Sequence, residues 1–228
     1  MKFLLTNDDG IDAPGLEALF AAAAQVGDPV VVAPTEALSG CSHRVTTHGP
    51  IRVSQRRPAR YAVAGTPADC VRVALHDVVP DAAWVLSGVN QGGNLGADVW
   101  HSGTVAAVRE AVLHGFPGIA FSQYHKKGWP IDWQCAASWV VPVLRRLLAQ
   151  PWQPGVFWSV NLPHLEPGAP VPEVVFCPLD PEPLPLSFRR EGDCLHYDGD
   201  YHGRRRRPGC DVDVCFRGNI AVTRLALF

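Results

Sequence analysis

The chain has 228 residues, of which 47% are hydrophobic and 18% charged, with a formal net charge of −2. That length suits one α/β domain with an appendage, or two small domains, and the near-neutral balance excludes a general nucleic-acid-binding surface. No apolar run reaches the ~20 residues of a membrane span, Met1-Lys2-Phe3-Leu4-Leu5 leads directly into polar residues, and the cysteines form no CxxC pair, so a cytoplasmic protein with reduced thiols is expected.

Lys2 to Thr6 reads as a first strand. The next helix opens near Asp12, a candidate cap, has Pro14 in its first turn and closes near Gly27. Pro29 to Ala33, apolar at Val30-Val31-Val32, predicts a strand covered on both faces, followed by a polar loop from Pro34 to His48. Thr66-Pro67-Ala68-Asp69 offers an N-cap threonine, proline at N1 and an acid at N3, which launches a helix over Cys70 to Val78 and makes Asp69 structural.

Ala83 to Ser87 predicts another buried strand, and Gly88 to Gly96 a glycine-rich loop through which backbone can approach a ligand. Ser102-Gly103-Thr104 starts a helix running to about His114 and ending at Gly115. A strand over Gly118 to Ser122, a helix from about Asp132 to Ala149 and a strand over Val156 to Asn161 follow. Pro142 predicts a kink or a late start in that helix, and Cys70 and Cys135 read as core.

This alternation predicts a Rossmann-like, three-layer α/β fold with a mainly parallel sheet over residues 1–163. Prolines then crowd between Pro163 and Pro185, so residues 164–228 are expected to form a small β-rich, proline-rich appendage, with Asn219 to Leu227 as a final strand. Arg204 to Arg207 read as a solvated basic run.

The chemistry starts at Asp8 and Asp9, adjacent carboxylates just past the first strand. At ~4 Å and an effective dielectric of about 20, such a pair repels by roughly 4 kcal/mol, so it needs water, a shared proton or a cation. Three loops follow three predicted parallel strands: Asn7-Asp8-Asp9, Ser39 to Ser42, and Ser87 to Gly96. In an open α/β sheet such loops face one crevice. Their carboxylates, hydroxyl and amide oxygens form an all-oxygen set suited to Mg²⁺ or Mn²⁺. The Ser102-Gly103-Thr104 helix start adds free N–H groups and hydroxyls, an anion site fit for phosphate. Metal and phosphate together point to phosphoryl transfer or hydrolysis. GxGxxG after the first strand, GxxxxGK[ST], GxSxG and HExxH are all missing, and His43 and His101, which flank these loops, read as polar contacts.

The combination Thr-Asn-Asp-Asp-Gly-Ile from residue 6, Val-Val-Ala-Pro from 31, Ser39-Gly40, Gly65 to Cys70, Ser87-Gly88-Val89-Asn90, Asn94-Leu95-Gly96 and Ser102 to Ala107 resembles the SurE (survival protein E) family. The resemblance covers essentially the first 160 residues, through Val160-Asn161-Leu162-Pro163, and continues weakly beyond. It implies a metal-dependent phosphatase acting on nucleoside 5′- and 3′-monophosphates, with short-chain polyphosphate as a further substrate. It implies that Asp8, Asp9, Ser39 and Asn90 are metal ligands and that Asn94, Ser102, Gly103 and Thr104 lie near the phosphate; on that basis one Mg²⁺ or Mn²⁺ per subunit is expected, with Asp8 or Asp9 orienting or deprotonating the attacking water. The family forms dimers and often tetramers by exchanging a β-hairpin and a C-terminal arm. A homodimer is therefore expected, whereas Cys210-Asp211 and Thr223-Arg224-Leu225 depart from the family's usual Thr-Asp and Thr-Pro-Leu and leave the tetramer open. Two rival readings are an aspartyl-phosphate-forming phosphatase and a metal-gated nucleotide-binding protein without turnover.

Overall fold

The computed structural model describes every residue from Met1 to Phe228. Nine strands form one sheet in the order β3-β4-β2-β1-β5-β6-β7-β11-β8. These are β1 (Lys2–Thr6), β2 (Asp28–Pro34), β3 (Val53–Arg57), β4 (Arg60–Val63), β5 (Trp84–Gln91), β6 (Gly118–Gln123), β7 (Val156–Leu162), β8 (Val174–Phe176) and β11 (Ile220–Ala226). The strands from β4 to β7 are mutually parallel, while β3 and β11 run antiparallel to β4 and β7. The helices are α1 (Pro14–Ala23), α2 (Pro67–Val73), α3 (Gly103–Leu113), α4 (Trp133–Leu148) and α5 (Asp211–Phe216).

Two helical layers sandwich the sheet because its central strands are apolar on both faces. On β1, Phe3 and Leu5 face the core under α1 and α4, while Leu4 faces the core under α2, as the period of two requires. Each such side chain contributes about 1.5–3 kcal/mol when fully buried. The three-layer, Rossmann-like architecture with a mainly parallel sheet is thus present as expected.

Element boundaries differ in instructive ways. Asp12 does not cap α1: the N-cap is Ala13, without a side-chain bond, and the helix ends at Ala23. Thr66 and Asp69 do form the expected capping box, but α2 gives way after Val73 to a π-helical turn over Ala74–Val78. The stretch Gly88 to Gln91, read as loop, belongs to β5, since Asn90 and Gln91 pair with Ser122 and Gln123 of β6. Pro142 sits inside α4, which is continuous through it. The β3–β4 hairpin escaped the sequence reading, because Val53–Arg57 is mostly exposed and carries no buried alternation.

The segment 164–228 contributes two strands to the main sheet. Val222 of β11 packs into the α1–α4 core and Leu225 into the core beneath α3, which draws this alternating strand against β7. Only the hairpin β9 (Phe188–Glu191) and β10 (Cys194–Tyr197) stands apart, exposed along its whole length. All seven cysteines are free, and Cys135 is only half-buried, unlike Cys70. No helix is long and apolar enough to cross a membrane.

Candidate active site

The strand order reverses at β1, with β2 on one side and β5 on the other, so the loops after β1 and β5 open into the crevice of a topological switch point. Asn7 Nδ2 donates to Gly10 O (2.8 Å) and Gly10 takes φ +97°, which turns the chain sharply after the acids. The Leu38 N–H donates to Asp8 O (2.7 Å), bringing the loop that carries Ser39 alongside.

Asp8 is buried against the start of α3. The Thr104 hydroxyl donates to Asp8 Oδ1. Gly103 leaves room for the carboxylate, since a Cβ there would lie 2.9 Å from both Asp8 Cβ and Oδ2. Ser102 is the N-cap of α3, its Oγ accepting from Val105 N (3.0 Å). The expected helix start at Ser102 is thus formed, and its threonine hydroxyl is spent on Asp8.

Asp9 Oδ2 accepts from Gln91 N (3.0 Å), which bridges β1 to the end of β5 beside Asn90. Asn90 Nδ2 donates to Gly92 O (2.8 Å), an orientation that leaves its carbonyl oxygen free. Ser39 is exposed, one residue from the Leu38–Asp8 bond. Asp8, Asp9, Ser39 and Asn90 therefore come from three loops or strand ends that are hydrogen-bonded to one another.

Burial pushes Asp8 up to about 6 against the lowering pull of the Thr104 bond, and the Asp9 charge adds to the rise. Asp9 is also raised by burial, opposed by the Gln91 N–H. The pair as it stands has no cationic partner among its contacts, and no cluster of three His, Cys, Asp or Glu groups surrounds it. Its donor chemistry is two carboxylates completed by neutral oxygens, with Asn90 Oδ1 and Ser39 Oγ unspent on hydrogen bonds. A hard divalent cation fits that set.

Asn94 is buried and its side chain and backbone are held by neighbouring polar groups. Its Nδ2 donates to Ser122 Oγ (2.8 Å), and its backbone N–H and C=O are both bonded by the Asn161 side chain (2.8 and 2.9 Å). Asp211 Oδ2 accepts from Gly96 N (2.7 Å), and the buried Arg204 pairs with Asp98 (2.7 Å). Asn161, Asp211 and Arg204, which hold the 94–98 turn, were not assigned site roles from sequence. Arg204 is buried, whereas Arg205, Arg206 and Arg207 are exposed, Arg206 and Arg207 pairing at the surface with Asp213 and Glu182. His43 makes a polar contact, its Nε2 lying 2.8 Å from Glu110 Oε2 on α3, and His101 is exposed.

Residues 3–180 match the family model described as survival protein SurE. A Nostoc protein with a provisional 5′-nucleotidase name is 54% identical over 99% of both chains. The 5′-nucleotidase SurE of Paramagnetospirillum magneticum is 38% identical over 99% of this chain and 89% of its own. The crystal structure of the SurE protein from Aquifex aeolicus superposes with a TM-score of 0.89 at 30% identity, covering 100% of this chain and 94% of that one. The chain belongs to the SurE family.

Proposed function

We propose that this chain is a divalent-metal-dependent phosphatase, a phosphoric monoester hydrolase that acts on nucleoside 5′- and 3′-monophosphates and on short-chain polyphosphate. The observation that carries the reading is the placement of Asp8 and Asp9 at the switch point, Asp8 against the N-terminus of α3 and Asp9 against the end of β5, in a chain whose relatives are named 5′-nucleotidases. Asp8, Asp9, Ser39 and Asn90 would hold one Mg²⁺ or Mn²⁺, which when bound withdraws charge from the phosphate and acidifies water. Ser102 and the Gly103 N–H face the phosphate oxygens at the positive end of the helix, where added negative charge is stabilised. Thr104 fixes Asp8, and Gln91 fixes Asp9, so that one of the two acids takes the proton of the attacking water.

The assembly proposed is a homodimer in the cytoplasm, with the β9–β10 hairpin as the exchanged element. Phe188, Leu195 and Tyr197 are each at least half exposed there, apolar area that a second subunit would cover. Phosphate release from AMP, GMP, 3′-AMP and short polyphosphate, with Mg²⁺, Mn²⁺ and then EDTA, tests the reading. Metal-dependent release that EDTA abolishes is expected. Nucleotide binding without release would overturn it in favour of a sensor.

A further inference from the structure

Trp100 is the large apolar side chain exposed closest in sequence to the phosphate turn. It is 48% exposed, whereas its neighbour Val99 is fully buried and Ser102, two residues on, is 7% exposed. Two residues of chain span at most ~7 Å, so the Trp100 backbone lies within that reach of the Ser102 N-cap. Ser42 Oγ donates to Trp100 O (3.4 Å), which places the residue at the seam between the Ser39 loop and α3.

Arg109 supplies an independent observation. Helical side chains lean towards the N-terminus, and this one carries its guanidinium back along α3 to 5.9 Å from the Trp100 ring centroid. The residue is 9% exposed, and its Nε and Nη2 are buried without an acceptor. A cation committed to an aromatic face instead of a carboxylate orients that ring and leaves the rest of the indole to solvent.

We infer that Trp100, oriented by Arg109, is the platform on which the substrate's nucleobase stacks. The inference rests on the nucleotidase reading and deepens it. A flat apolar face beside a phosphate site recognises any base through its π surface, so it selects nucleotides over plain phosphomonoesters without selecting among bases.

The test compares AMP with ribose 5-phosphate, which lacks the base, for wild type, Trp100→Leu, Trp100→Phe and Trp129→Ala. Trp129 is the comparator because its ring lines a separate cavity of about 320 Å³ between α4 and the segment after β7. For Trp100→Leu, a rise in KM for AMP of roughly 5- to 150-fold is expected, with kcat held, so that the kcat/KM preference for AMP over ribose 5-phosphate collapses. Trp100→Phe should retain most of the preference. An unchanged preference in Trp100→Leu, an equal loss on both substrates, or a collapse in Trp129→Ala instead would each overturn the inference. A changed oligomeric state on size-exclusion chromatography with the preference intact would assign Trp100 to a subunit contact and overturn it as well. If wild type hydrolyses no monoester, the nucleotidase reading fails separately. Quenching of tryptophan fluorescence by AMP, present in wild type and diminished in Trp100→Phe, then still reads the stacking contact, and equal quenching in both overturns it.

Discussion

Thr104, at the second position of α3, donates its hydroxyl to Asp8 in the loop after β1, joining the helix start to the acid pair across 96 residues of chain. The bond fixes one carboxylate oxygen and opposes the rise that burial imposes on Asp8. Thr104→Val keeps the shape and removes the donor. A loss of about 10- to 100-fold in metal affinity or turnover is expected, as for other residues that orient a ligand, with an unchanged circular dichroism spectrum. Metal titration and kcat/KM measure it, and wild-type values for both would show that Asp8 needs no such support.

Gly103 tests the same junction from the steric side. By propensity, alanine within a helix is better than glycine by about 1 kcal/mol. Here the new methyl would lie 2.9 Å from Asp8 Cβ and Oδ2, so the carboxylate must move. Gly103→Ala is therefore expected to retain or slightly gain helicity while losing most activity. A fully active variant would mean that the junction is loose.

The acid pair itself predicts a thermodynamic signature. A cation that binds only the folded chain stabilises it by about 2.7 kcal/mol at a hundred times its dissociation constant. Differential scanning fluorimetry should show Mn²⁺ raising the melting temperature of wild type and EDTA reversing it. Asp9→Asn should remove both this response and metal-dependent phosphate release. An undiminished Mn²⁺ response in Asp9→Asn would displace the metal from this pair.

What was legible in the sequence, and what was not, follows from the range of the interactions. The Thr66–Asp69 capping box and the Ser102 N-cap are local, and the structure forms both. Apolar runs such as Val30-Val31-Val32 exposed the buried strands, because parallel strands covered on both faces need them. The Asp8–Thr104 bond was out of reach: both residues were picked out, but a hydroxyl near an anion site reads equally well as a phosphate donor. Arg204 failed for a similar reason, since its partner Asp98 lies 106 positions away. The end of β5 reads as loop because Gly88 lies within it and Gly92 and Gly93 follow it, whereas pairing with β6 extends the strand to Gln91.

Arg204 carries a prediction on stability. Its side chain is fully buried, paired with Asp98 at 2.7 Å and stacked 5.3 Å from the centre of the Tyr201 ring. Arg204→Met leaves a largely buried carboxylate unpaired, at a cost of roughly 3–5 kcal/mol. The double variant with Asp98→Asn should recover part of that loss, because the stranded charge is gone. Urea denaturation measures both, and additive losses would mean that the two residues act independently.

Asp69 sets a pH dependence whose sign can be worked out. Burial acts to raise this acid, but the Thr46 N–H and hydroxyl (2.7 and 2.8 Å) and the Thr66 N–H (3.0 Å) outweigh it and hold Asp69 below the usual carboxylate range. The folded chain therefore favours the anion more than the unfolded chain does. Stability from this group is fully present above the unfolded value of about 3.9 and drains away as pH falls through the lower folded value. Asp69→Asn removes an acceptor from that donor set and should cost about 1–3 kcal/mol at pH 7. The gap to wild type should narrow as the wild-type acid becomes protonated, below about pH 3.9. Chemical denaturation of both proteins at pH 7 and at the lowest pH that leaves wild type folded measures the gap. A cost that stays constant across that range would mean that the hydrogen bonds do not discriminate the anion from the acid, and that Asp69 acts by shape alone.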